Sequence, residues 1–189
     1  MRVITGTARG RKLKEPAGFD IRPTTDQVKE AMFNIVQFDV EGRRVLDLFG
    51  GTGQLGLEAA SRGAGETVIV DCDRTAVRLI RENAALCRLD VRVIQCDAVS
   101  YLKRGERFDL ILLDPPYDSG LAEKTLETIK KIDNLSEGGI ILCETRRETR
   151  LPELESSYVK GREYRYGKVK LTVYTKESGH DDSDLSGKL

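Results

Sequence analysis

One turn constrains this chain more than any other feature. The apolar run Val45-Leu46-Asp47-Leu48-Phe49 stops at Gly50-Gly51-Thr52-Gly53-Gln54-Leu55-Gly56, and a helical stretch follows to about Arg62. Residues Gly51 to Gly56 spell G-x-G-x-x-G between a strand and the helix it opens. Asp71 stands 20 residues after Gly51, at the end of the next strand-like run, Thr67-Val68-Ile69-Val70-Asp71. Glycines there let the backbone come close to a ligand, and a helix N-terminus favours negative charge. An acid at the end of the second strand can accept hydrogen bonds from both hydroxyls of a ribose. A unit of this kind commits the chain to a parallel α/β sheet.

The remaining pattern agrees. Thr25 or Asp26 can cap a helix over 26–38, whose Val28, Ala31, Met32, Ile35 and Val36 fall on one face. Further helices are predicted over 74–88, 98–104 and 120–132, and further strands over 91–96, 108–113 and 139–144. The strands are short and apolar without alternation, as expected when both sheet faces are covered. Strands alternating with helices of this length define a doubly wound fold. Two last β-like segments, 157–165 and 168–176, flank Gly167 and predict an antiparallel hairpin at one sheet edge. Residues 1–22 read as a basic hairpin segment, 23–176 as one catalytic-sized domain, and 177–189 as a polar, disordered tail.

Composition enters mainly by exclusion. A chain of 189 residues holds one domain with room for a real core. No stretch of 18 apolar residues exists to span a membrane, and the N-terminus lacks the apolar region of a signal peptide. Cys72, Cys87, Cys96 and Cys143 form no C-x-x-C pair, which suits free thiols in a reducing cytoplasm. The sole histidine, His180, lies in the polar tail. That argues against a Ser-His-Asp triad, a Cys-His pair or a His-bearing zinc site, so any chemistry here must work without imidazole.

Two ligands share the geometry of the loop. A nicotinamide dinucleotide would set its pyrophosphate on the helix, whereas S-adenosylmethionine (SAM) sets a methionyl group and a ribose there. Asp47, just before the loop, discriminates: a carboxylate repels a pyrophosphate but suits the ammonium of the methionyl end, directly or through water. Gly51, Gly53 and Asp71 then hold SAM. Asp97, closing the third strand, can accept from the adenine amino group while it also caps the helix after it.

Asp114-Pro115-Pro116-Tyr117 ends the fourth strand, where the ligand crevice of an open α/β sheet lies. Two prolines stiffen the turn and leave their carbonyls as acceptors. An exocyclic amine on a nucleobase has two hydrogens and a lone pair delocalised into the ring. If the Asp114 carboxylate and the Pro115 carbonyl accept both hydrogens, the nitrogen can pyramidalise and aim its lone pair at a methyl donor. Catalysis is then positioning and electrostatics. Tyr117 offers a ring for the base to stack on, worth about 1–3 kcal/mol.

At this point the chain resembles a family. Gly51–Gly56, Asp71 and Asp114–Tyr117 are similar to SAM-dependent amino-methyltransferases of nucleic acids. The fuller match is to the bacterial 16S ribosomal RNA guanine-N2 methyltransferases called RsmD. It runs through Arg9-Gly10-Arg11-Lys12-Leu13, Arg22-Pro23-Thr24-Thr25-Asp26, Glu30-Ala31-Met32-Phe33-Asn34, Leu55-Gly56-Leu57-Glu58 and Ser61-Arg62-Gly63, along residues 2–175. The resemblance implies a Rossmann-like, seven-stranded methyltransferase fold with an N-terminal β-hairpin. It implies methyl transfer to N2 of one small-subunit rRNA guanine, with assembled or partly assembled small subunits as substrate. By the motif, Asp114, Pro115 and Tyr117 take the catalytic and stacking roles, and Thr24 and Thr25 approach the methionyl end or the base. The family often carries an aromatic before its Arg-Gly-Arg; this chain has Ala8.

Lys+Arg and Asp+Glu both number 31, so net charge gives no case for a polyanion partner. Its distribution does, because residues 1–14 are basic without an acid. Arg9, Arg11 and Lys12 are expected to contact RNA phosphates, with Arg22 adding to the surface. The expectation is a cytoplasmic monomer acting on 16S rRNA. Two other readings stay open on the residues alone. One is an adenine-N6 or cytosine-N4 methyltransferase of DNA or other RNA, for which 189 residues leave little room for a target-recognition domain. The other is an RNA-binding or ribosome-assembly protein that keeps the fold without catalysis.

Overall fold

The structure is a computed structural model, and it describes residues 1–15, 26–155 and 157–177. The expectations for Arg22, Thr24, Thr25, His180 and the tail from 178 onward fall outside the described residues.

The elements run α1 (Asp26–Ile35), β1 (Arg44–Asp47), α2 (Gln54–Ser61), β2 (Glu66–Asp71), α3 (Arg74–Cys87), β3 (Arg92–Gln95), α4 (Ala98–Leu102), β4 (Phe108–Leu113), α5 (Leu121–Ile132), β5 (Leu135–Arg146), β6 (Tyr158–Tyr166) and β7 (Val169–Lys176). The strands make one seven-stranded sheet in the order β3-β2-β1-β4-β5-β7-β6. Pairing is parallel from β3 through β5, and antiparallel for β5–β7 and β6–β7. This is the Rossmann-like α/β fold with its closing antiparallel hairpin.

Both faces are covered, which explains the continuous apolar runs. Alternate residues of one strand serve opposite layers. Leu46, Leu48, Ile111 and Leu113 pack with Leu102, Leu126 and Ile129 of α4 and α5. Val45, Leu110 and Leu112 pack with Met32, Phe33, Leu55 and Ala59 of α1 and α2.

Helices α1 and α4 end short of the expected 38 and 104, and two further departures have a local reason. β5 begins at Leu135 rather than 139. Leu135 pairs with Phe108, the register then shifts, and the ladder resumes at Leu110↔Ile140. The Glu137-Gly138-Gly139 stretch is the irregularity inside the strand, with Gly138 at φ 68°. Among the described residues the N-terminal segment forms one isolated antiparallel bridge, Arg2↔Lys12. The ladder stays short because Ile4 and Thr5 give their N–H groups to Glu58 Oε2 (2.7 Å) and Oε1 (3.0 Å) instead of to a partner strand.

Residues 1–15 are built into the domain. Val3, Ala8 and Leu13 are buried with Leu57, Ile69, Ile80 and Ala84. Ala8 N–H donates to Ser61 Oγ (2.9 Å), and Lys14 N–H donates to Asn83 Oδ1 (2.7 Å). Fully buried Lys29 donates to the Arg2 carbonyl (2.5 Å) and lies 3.9 Å from Glu58. Burial pulls the Lys29 ammonium below its usual range.

Candidate active site

The topology places the two sequence motifs side by side. β1 pairs with β4 (Leu46↔Ile111, Asp47↔Leu112), and Leu48 N–H extends the pairing to the Leu112 carbonyl (3.2 Å). The glycine loop after β1 and Asp114–Tyr117 after β4 therefore leave the sheet as neighbours. From β1 the chain winds outward to β2 and β3, and from β4 to β5, so strand order reverses between them. Ligands bind at such a switch point. A cavity of about 910 Å³ opens there, at the upper end of the size of ligand sites, with room for a cofactor and a nucleobase together.

On one side its wall is Phe49, Gly51, Asp71, Asp97 and Val99, and on the other Pro116, Tyr117, Glu144 and Tyr166, with Asp114 and Pro115 also lining it. Asp71 is fixed by the loop it faces. Its Oδ2 accepts from Gly51 N–H and its Oδ1 from Asp73 N–H, both at 2.8 Å. A carboxylate has about four acceptor sites, so two remain for a diol. Gly51 has φ 55°, and a Cβ there would meet no atom within 4 Å. The loop thus takes a left-handed conformation and leaves open space above it. Asp97 accepts from Ser100 N–H (2.9 Å) at the start of α4 and still lines the cavity. Its hydrogen bonds with Ser100 hold its carboxyl below the usual range.

Asp47 and Gly53 lie behind this wall rather than in it. Asp47 shares the pleat parity of Val45, so its side chain points to the α2 face. There its Oδ2 accepts from Gly56 N–H (2.9 Å) in full burial. A Cβ on Gly56 would sit 2.5 Å from Ile69 Cγ1 and 3.2 Å from Asp47 Oδ2, so only glycine fits. Burial, reinforced by the charges of Asp114 and Asp71, pushes the Asp47 carboxyl up to about 7. Gly53 caps α2 at φ 83°.

Tyr117 is held at two points. Its hydroxyl donates to Glu144 Oε1 (2.7 Å), and the Arg146 guanidinium lies 5.3 Å from its ring centroid. Arg146 is itself paired with Asp118 at 2.9 Å. Sequence reasoning missed Glu144, although it sits at the carboxyl end of β5, the position that singled out Asp71, Asp97 and Asp114. It also missed Gln27 and Val28 of α1, Lys124 of α5 and the β6–β7 tip, Arg165 to Lys168, all of which line the cavity.

The basic segment lies elsewhere. Arg9 and Lys12 are exposed, and Arg11 Nη1 donates to the Leu86 carbonyl (3.1 Å) near the end of α3. The turn before Arg9 is fastened at the end of α2, where Thr7 N–H donates to the Ser61 carbonyl (2.8 Å).

A glycine loop facing a strand-end carboxylate, joined across paired central strands to a prolyl acceptor motif, belongs to the methyltransferase class of Rossmann-like folds. A hypothetical protein from Thermus thermophilus has the same fold, with a TM-score of 0.81, 33% identity, and coverage of 94% of this chain and 99% of that one. The particular family follows from the whole sequence. The model of the family described as Conserved hypothetical protein 95 matches residues 1–175, and the chain belongs to that family, the RsmD family. The Bacillus subtilis protein YlbH is 40% identical over 182 residues, covering 93% of this chain and 99% of that protein. Ribosomal RNA small subunit methyltransferase D of Escherichia coli K12 is 35% identical over 187 residues, covering 97% and 94%. Among the described residues no helix is long and apolar enough to cross a membrane.

Proposed function

We propose that this protein transfers a methyl group from SAM to the exocyclic N2 amine of one guanine in 16S rRNA. One observation carries the reading. The β1–β4 pairing sets the glycine loop, bonded to Asp71 through Gly51 N–H, beside the Asp114-Pro115-Pro116-Tyr117 turn on one cavity, with no histidine in its wall among the described residues. The cavity fits SAM: two acceptor sites remain on Asp71, the backbone at Gly51 is open, and Asp97 stands beside them.

When bound, SAM supplies a methyl on a sulfonium, already a strong electrophile. The Asp114 carboxylate and the Pro115 carbonyl accept the two amine hydrogens, localise the nitrogen lone pair and aim it. Asp114 also accepts the proton that the methylated amine sheds. Tyr117 stacks on the base, its tilt fixed by Glu144 and Arg146. Asp71 holds the ribose hydroxyls and Asp97 the adenine amine. Asp47 sets the loop through Gly56 and, in its ionised form, adds negative field toward the methionyl end from behind the wall, and Gly51 and Gly53 let the backbone approach. Arg9, Arg11 and Lys12 contact RNA, with Arg22 assigned to the same role. The substrate is the small ribosomal subunit or an assembly intermediate, and the enzyme works in the cytoplasm as a monomer.

Asp114→Ala tests the mechanism. It is expected to bind SAM with unchanged affinity by calorimetry while kcat falls by about 10²–10³. Full turnover in this variant contradicts the assigned role.

A further inference from the structure

The mouth of the cavity carries positive charge that the proposed chemistry does not use. Arg165 and Lys168 flank Tyr166 and Gly167 at the tip of the β6–β7 hairpin, and all four line the cavity, as does Lys124 on α5. The tip is stiff. Tyr166 pairs with Val169 across a two-residue turn whose first member, Gly167, has φ 58°, which suits a primed hairpin turn. Arg147 N–H donates to the Lys168 carbonyl (2.9 Å) and ties the tip to the end of β5.

The charges at the mouth are loosely engaged. Arg165 is 60% exposed at its side chain and reaches Glu163 only at 3.9 Å, while Lys170 holds that carboxylate at 3.0 Å. Among the described residues neither Lys124 nor Lys168 has an ion pair. Asp118, the acid beside Tyr117, is occupied by Arg146.

A base drawn out of its strand into the cavity carries its own 5′ and 3′ phosphates to the mouth. Cations on a rigid element there bind them without ordering a loop, and the cavity wall focuses their field. The N-terminal arm is placed differently. Its turn is bonded at Ser61, while the cavity is lined at Gln54, the other end of α2, about 10 Å away at 1.5 Å per residue.

We propose that Arg165 and Lys168, with Lys124, hold the phosphates flanking the target nucleotide, making the β6–β7 tip the RNA contact nearest the chemistry. This rests on the RNA-methylating reading above. The test is the exposed double substitution Arg165→Gln/Lys168→Gln. It is assayed by filter binding to a 16S rRNA transcript across a salt series and by methyl transfer from labelled SAM to small subunits lacking the modification. The expected result is about tenfold weaker RNA binding near physiological salt and a salt slope smaller by about 1.4, from two contacts at roughly 0.7 each. KM for subunits rises, SAM affinity stays within about twofold, and Arg165→Lys/Lys168→Arg restores binding. Unchanged affinity and slope overturn the proposal, as does an Arg9/Arg11/Lys12→Ser triple that raises the subunit KM more than the tip double does. Failure of the RNA reading itself looks different: the unsubstituted protein then neither binds nor methylates RNA.

Discussion

The molecule has two cationic regions that resemble each other in composition and differ in how they are built. The N-terminal arm gathers its charges within one run of sequence and anchors them through buried polar groups: Glu58 and Ser61 accept two arm N–H groups each, Asn83 accepts one, and Lys29 grips the Arg2 carbonyl. The β6–β7 tip gathers few charges, and they become significant only because β7 inserts between β5 and β6 and delivers the turn to the cavity. The arm is fastened along α2 toward the end away from the cavity, and the tip lines the cavity. Charge density along a sequence therefore marks a surface without saying which part of the substrate meets it.

The sharpest way to break this contrast is at Glu58. Its carboxylate is fully buried, pairs with Arg62 at 2.9 Å and lies 3.9 Å from buried Lys29. Glu58→Ala leaves two N–H groups and the Arg62 Nε–H without their acceptor and removes the counter-charge beside buried Lys29, so a loss of about 3–5 kcal/mol in chemical denaturation is expected. Hydrogen exchange should quicken in residues 3–13 and stay protected in the β6–β7 hairpin. A loss below about 1 kcal/mol shows the arm held by its apolar residues alone.

Asp47, the last residue of β1, provides the next effect. Its folded-state carboxyl is raised to about 7, above the usual carboxylate value near 4. Between those values the folded state holds the proton that the unfolded chain has released, so its contribution is full at low pH and is lost as pH rises through about 7. Asp47→Asn keeps an acceptor for Gly56 N–H and removes that slope. The stability difference between variant and parent should grow by about 2–4 kcal/mol from pH 4 to 8; a difference that is flat with pH removes the buried-carboxyl account.

At the tip, Gly167→Ala forces a side chain onto φ 58° at a cost of about 1–2 kcal/mol, and it should raise the RNA KM while exchange in the arm is unchanged. Smallest in stability is the arm triple Arg9/Arg11/Lys12→Ser. These exposed changes should shift stability by no more than about 0.5 kcal/mol and lower affinity for long rRNA while sparing SAM binding. An unchanged rRNA affinity takes the arm out of recognition.

The frame of the fold is legible in the sequence because its signals are local. Doubly covered strands read as unbroken apolar runs, helices show one apolar face, and the carboxyl ends of strands carry Asp71, Asp97 and Asp114. What escapes is set by pairing and pleat. Asp47 reads as a ligand-facing acid, yet its parity with Val45 turns it to Gly56. Glu144 reads as a strand residue until β5 lies beside β4 and brings it under Tyr117. Glu58, Ser61 and Asn83 carry no local sign of their role, and only the arm that covers them shows their use. Arg165 and Lys168 look like ordinary charges beside a turn, because nothing local says where that turn ends.

The central claim is that a carboxylate, a prolyl carbonyl and a stacking ring suffice to methylate the N2 amine of a guanine in 16S rRNA. Nucleoside mass spectrometry tests it directly, on rRNA of small subunits from a strain lacking the modification, incubated with this protein and labelled SAM. The expected product is labelled N2-methylguanosine at one position of 16S rRNA. Label in N6-methyladenosine, or in DNA alone, contradicts it.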